Sequence, residues 1–145
     1  MVAPDKLSIA RPGRVPDEYR RLPHMIIDTG SAASVNMTYP LAADIYLGDA
    51  SSQVYEFLIE PRPCLFANPH GIAWTGDPNF AHWQFGPVFT SIDELPDALV
   101  RASTDHAQFA PIQKRMFDYT FELGDRPSAD RAALAIAEFL DCPPR

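Results

Sequence analysis

The chain has 145 residues, 46% of them hydrophobic and 21% charged, with a net charge of −7. That is length for one domain with a sizeable core, and the acidic balance argues against a broad nucleic-acid or anionic-membrane surface while leaving room for a local phosphate pocket. Two cysteines, Cys64 and Cys142, are too few and too far apart for a disulfide framework or a zinc site.

No run approaches the roughly 20 apolar residues of a membrane span. The N-terminus also lacks a signal-peptide core, so a cytoplasmic protein is expected. Fifteen prolines, spread over loops and helical stretches, blur the element boundaries because proline both starts and interrupts helices.

Residues 1–22 read as a loosely ordered lead-in, with one helical turn at Asp17–Arg21. Met25-Ile26-Ile27 is the first expected strand, ended by Asp28-Thr29-Gly30, and a helix capped by Ser34 is expected to run to Ala42 across Pro40. A strand at Asp44–Gly48 and a helix at Ser51–Ile59 follow, then a strand at Pro63–Ala67. These strands are continuous apolar runs, the pattern of a parallel sheet covered on both faces.

Cys64 lies inside such a run and is expected to be a buried free thiol. Asn68–Pro87 is a long loop carrying His70, Trp74, Asp77, Phe80, His82, Trp83 and Phe85. Loops of that length are usually functional or tied to a partner, and its aromatics are candidates for a lid packed on the domain. Val88-Phe89 makes a fourth short strand. Ser91 and Glu94 have capping-box spacing for a helix towards Ala102. Asp105–Phe121 and Ala129–Leu140 carry apolar residues at helical spacing. The order β-α-β-α-β-loop-β-α-α-α predicts an α/β fold: an incomplete Rossmann-like three-layer domain with a short parallel sheet, residues 23–145.

The chain contains no G-x-G-x-x-G, no phosphate-binding G-x-x-x-x-G-K-[ST] and no G-x-S-x-G, which argues against the common dinucleotide, P-loop and serine-hydrolase readings. His24, His70, His82 and His106 lack metal-ligand spacing, and no metal site is expected. The strongest candidate is the turn after Ile45-Tyr46-Leu47. Strand, acidic turn, two serines and helix aim amides and hydroxyls at an anion, with Ser51 and Ser52 as donors and Asp49 ordering the turn. Glu56, one helical turn deeper, suits a sugar hydroxyl. The competing reading is a plain helix cap without a ligand, with Glu56 solvated or paired to Arg62.

The run Ala43-Asp44-Ile45-Tyr46-Leu47-Gly48-Asp49-Ala50-Ser51-Ser52, then Tyr55-Glu56-Phe57 and Arg62-Pro63-Cys64-Leu65-Phe66, resembles the C-terminal domain of the CDP-glycerol glycerophosphotransferase family and related capsule-polymer transferases. Met25–Asp28, Trp83–Thr90 and Ile92–Leu99 are similar as well, and the tail at Ser128–Arg131 more loosely. The resemblance implies the donor-binding C-terminal half of a GT-B fold. Ser51 and Ser52 would hold the phosphates of a CDP- or UDP-linked donor, with Asp49 and Glu56 beside them.

No cofactor or metal is implied. The reaction is transfer of a glycerophosphate or glycosyl group to a polymer hydroxyl in cell-surface polymer synthesis. Ala50 stands where the family commonly has an aromatic, and the family's His-Pro motif has here only the reversed Pro23-His24 and Pro69-His70. The first, acceptor-binding domain with its base is also missing, so the chain is expected to be a fragment, a split gene product or a remnant, incomplete for catalysis alone. The implied partner is that domain or another subunit, with peripheral attachment to the inner face of the membrane through it. The alternatives are a UDP-sugar 2-epimerase-like module and a non-catalytic remnant that binds a partner domain.

Overall fold

The structure is a computed structural model, and it describes residues 15–141. The expected lead-in therefore lies outside the described residues up to position 14, as does Cys142. The chain divides into two units, Met1–Thr38 and Tyr39–Arg145.

In the first unit, Asp17–Arg20 forms one short helix, α1. The strand expected at Met25–Ile27 does not form: the stretch is irregular and Ile26 is exposed. A strand is held by a neighbour's amides and carbonyls, and here the local backbone is committed elsewhere. The Met25 amide closes a turn onto the Leu22 carbonyl, and the Asp28 carboxylate accepts from the amides of Gly30 and Ser31.

The single helix expected over Ser34–Ala42 is two. In α2, Ala32–Val35, Ser31 rather than Ser34 is the cap, its hydroxyl accepting from the Ala33 amide. Met37 then adopts a left-handed φ of 65°, and the Asn36 side chain accepts from the amide and hydroxyl of Thr38 at 3.2 and 2.6 Å. That starts α3, Thr38–Ala42, and leaves Pro40 in a first turn, where its missing N–H costs nothing.

The second unit is built on a three-stranded parallel sheet in the order β1 (Tyr46–Gly48), β2 (Cys64–Ala67), β3 (Val88–Phe89), one strand fewer than expected. The register pairs Tyr46 with Cys64, Gly48 with Phe66 and Phe66 with Val88. The central strand is buried on both faces. Cys64 and Phe66 enter one core with Val54, Phe57, Trp83 and Phe85, while Leu65 enters a second with Phe89, Ala98 and Ala102. This accounts for the continuous apolar run.

The first core is covered by α4 (Gln53–Phe57), by a 3-10 segment Pro78–Phe85 within the long loop, and by α6 (His106–Thr120). The second is covered by α5, Leu95–Thr104. The Ser91–Glu94 capping box forms as expected, opening a 3-10 turn that leads into α5. The final helix α7, Ser128–Asp141, buries none of its residues.

Two side chains tie these layers together at the border of β2. The Arg62 guanidinium donates to the carbonyls of Leu41 (3.2 Å), Ala43 (2.7 Å) and Phe57, and lies 3.9 Å above the Phe57 ring. It is therefore a staple between the approach to β1 and the end of α4, not a partner of Glu56. The fully buried Gln113 of α6 donates to the carbonyls of Arg62 (3.0 Å) and Phe85 (2.7 Å).

Gly86 passes so close to β2 that a Cβ there would fall inside the contact radius of the Cys64 carbonyl. Its φ of −175° is ordinary extended backbone, so the requirement is for space. Gly86→Ala is therefore expected to cost about 3 kcal/mol or more. Gly71→Ala, at φ +59° with open space around it, should cost only about 1 kcal/mol. Urea denaturation of the two variants checks the order.

Candidate functional site at the carboxyl ends of the strands

Each strand of the sheet leaves the core at the same end, and the residues that follow enclose a crevice of about 490 Å³, a size typical of small-molecule sites. Leu47, Gly48 and Asp49 line it from β1, and Ala67 and Pro69 from β2. Phe89, Thr90 and Ser91 line it from β3, with Ile92 and Leu95 following. In open α/β sheets this end is where ligands sit.

The floor is apolar and Asp49 is the one charged residue in the lining. A phosphate in the crevice would therefore meet backbone amides and hydroxyls, with no lysine or arginine in the wall. The hydroxyls of the far wall are held by the capping box: Thr90 Oγ1 donates to Glu94 Oε1 at 2.9 Å, and Ser91 Oγ accepts from the Asp93 amide. Both keep lone pairs for a ligand hydroxyl.

The expected site residues are not gathered in one place. Asp49 lies in the crevice wall. Ser51 and Ser52 follow it in the turn and do not line the crevice. Ser51 Oγ accepts from the Gln53 amide at 3.3 Å and bonds the Tyr46 phenol. Ser52 is exposed and precedes α4 without a side-chain cap. Glu56 is exposed beside a separate shallow groove formed by Ile59, Phe117, Phe121 and Leu123.

The helix after the serines is Gln53–Phe57, shorter than the Ser51–Ile59 expected. Any anion affinity there rests on the turn's amides more than on a helix dipole, which needs length. Ser91 was legible in the sequence only as a cap residue, and Thr90 only as the end of the similar stretch Trp83–Thr90. The available signal was their place directly after an apolar strand.

The long loop reaches this site from behind. Its His82, Trp83 and Phe85 are buried, so the aromatics do pack on the domain. His82 Nε2 and Trp83 Nε1 lie 3.1 and 2.8 Å from the same Asp49 carbonyl oxygen. A carbonyl only accepts, so His82 carries its proton on Nε2. Asn68 ties the start of the loop, accepting from the Ile72 amide at 2.8 Å and donating to the Ile72 carbonyl at 3.0 Å.

His70 is exposed, and among the described residues no group of three His, Cys, Asp or Glu side chains is placed to hold a metal. Cys64 is a free, buried thiol. Burial pushes it up to about 12 against the pull of Arg62, so it is protonated at neutral pH and is no nucleophile. Burial likewise raises Tyr46, with the Ser51 hydrogen bond opposing and the Asp49 carboxylate adding to the rise.

No family model matches the chain, and no curated protein or solved structure matches it either.

Burial lowers the His82 pKa, opposed by its bond to the Asp49 carbonyl and by the nearby Asp49 carboxylate. A depressed folded pKa means that the unfolded chain takes up the proton first as pH falls. The His82 contribution is then fully present above the unfolded value of about 6.5 and is lost as pH drops through the folded value. Chemical-denaturation midpoints between pH 7.5 and 5 should decline on the acid side, and His82→Gln should remove part of that decline. An unchanged slope in the variant would contradict this.

Proposed function

We propose that this chain is the donor-nucleotide-binding half of a transferase of the GT-B kind, acting in cell-surface polymer synthesis as the CDP-glycerol glycerophosphotransferase and capsule-polymer enzymes do. The observation that carries the reading is the crevice beyond the carboxyl ends of three parallel strands, with Asp49, the first residue of the Asp49-Ala50-Ser51-Ser52 turn, in its wall. The resemblance of that turn and of Arg62–Phe66 to the family adds to it. On this reading the apolar floor, from Leu47 across Ala67 to Phe89 and Leu95, takes the flat part of a nucleoside. Thr90 and Ser91 meet its hydroxyls, and the turn meets the phosphates.

A CDP- or UDP-linked glycerophosphate or sugar is the substrate class, and the transferred group passes to a polymer hydroxyl as the nucleotide leaves. A first, acceptor-binding domain or another subunit is the partner that completes the cleft, and it would carry any attachment to the inner face of a membrane.

A second reading, a partner-binding domain without catalysis, is favoured by one observation. Ile136, Phe139 and Leu140 of α7 are more than half exposed, as on a face that a partner covers.

Calorimetric titration separates the two. The donor-binding reading predicts binding of CDP, CMP or UDP with a dissociation constant of roughly 1 µM–1 mM, the usual span for enzyme substrates. It also predicts a loss of roughly two- to tenfold in Thr90→Val, whose hydroxyl lines the crevice, because a neutral hydrogen bond is worth roughly 0.5–1.5 kcal/mol. No heat with any of the three nucleotides, in protein shown to be folded by circular dichroism, overturns it.

A further inference from the structure

The Asp49 carbonyl is the first acceptor of β1 beyond the sheet, since the pairing of β1 with β2 ends at Gly48 and Phe66. Two buried rings from a segment more than 30 residues away take its place in the ladder. His82 Nε2 and Trp83 Nε1 converge on this one oxygen and occupy both of its lone pairs. The rings are themselves fixed: Trp83 packs on Phe80 at 4.7 Å and edge-on to Trp74 at 5.9 Å, and His82 lies edge-on to Phe66 at 5.7 Å.

A trans peptide is planar, with its C=O and N–H pointing in opposite directions. Locking the Asp49 carbonyl towards the rings therefore turns the Ala50 N–H away from them. Trp83 belongs to the core on one face of the sheet, whereas Leu95 and Ala67 of the crevice pack against the core on the other.

We propose that His82 and Trp83 are positioning residues that orient the Asp49–Ala50 peptide plane and so present the Ala50 N–H to the ligand of the crevice. The long aromatic loop is then a back-support of the site, and an anion at the rim is met by a pre-oriented backbone donor instead of a charged side chain. This extends the reading of the crevice as a donor-nucleotide site and rests on it for the identity of the ligand, while the orientation of the peptide plane stands on the hydrogen bonds alone.

The test uses Trp83→Phe and His82→Leu, which keep apolar bulk and remove one donor each, with His82→Gln as the variant that restores an N–H. Backbone amide NMR order parameters and calorimetric titration with CDP are measured on the whole chain. Both donor-less variants are expected to lower the order parameters of Ala50–Gln53 from the rigid range of about 0.85 towards about 0.6, with Leu65, Phe66 and the centre of α6 unchanged. They are also expected to weaken CDP about tenfold, and His82→Gln to recover most of both effects.

Unchanged order parameters at Ala50–Gln53, or a fall spread evenly over β2 and α6, overturn the proposal. So does CDP affinity at the wild-type level in variants whose turn has loosened. If the wild-type chain binds no CDP, CMP or UDP while the local loosening and its rescue are present, the orientation of the peptide plane is supported and the transferase reading falls.

Discussion

The constraint on which the second unit depends is that β2 is buried on both faces. A strand in that position must be apolar at every residue, and every layer must come to it. Cys64 and Phe66 anchor the side that receives α4, the 3-10 segment and α6, and Leu65 anchors the side that receives α5. The polar contacts that tie those layers are made at its border: Arg62 donates to carbonyls on either side of β1, Gln113 bridges the Arg62 and Phe85 carbonyls, and Gly86 gives the next segment room to pass the Cys64 carbonyl. Each satisfies or accommodates buried backbone groups that would otherwise cost roughly 1–3 kcal/mol apiece. With β2 fixed, the ends of its two neighbours are fixed too, and the crevice is the space those ends leave.

This distribution of tasks changes the meaning of the residues that carry the family resemblance. Arg62, the arginine of the Arg-Pro pair, is a staple of the fold and faces carbonyls, not a phosphate. Ser51 is engaged within its own turn, by Tyr46 and the Gln53 amide. Gly48 is demanded by Tyr46, whose ring lies where a Cβ at position 48 would stand. What remains directed outward at the end of β1 is the Asp49 side chain and the backbone that follows it.

Much of the sheet was legible in the sequence, because Ile45–Leu47, Pro63–Ala67 and Val88-Phe89 are compact apolar runs bounded by turn residues, and such runs have few alternatives to a buried strand. Ser91 with Glu94 was legible for a similar reason: a capping box is a local device that needs no distant partner. Met25–Ile27 has the composition of a strand but no ladder to join, and composition carries no information about partners. The break at Met37 depends on the Asn36 side chain capturing Thr38, which outcompetes a continuous helix through Pro40.

Of the residues that the sequence singled out for a ligand, Asp49 is the one that lines the crevice. The grip of His82 and Trp83 on its carbonyl joins residues 33 and 34 positions apart, through groups that read as ordinary loop aromatics. Ser52 and Glu56 were placed beside a ligand by the strand-turn-helix pattern and the resemblance, and neither lines the crevice.

The central claim is that the strand-end crevice takes a nucleotide, and backbone amide chemical-shift mapping during a CDP titration tests it most directly. The account predicts shifts concentrated at Gly48–Gln53 and at Phe89–Ile92, with α7 and the groove of Ile59, Phe121 and Leu123 silent. Shifts confined to α7 or to that groove, or a spectrum unchanged by saturating nucleotide, would contradict it.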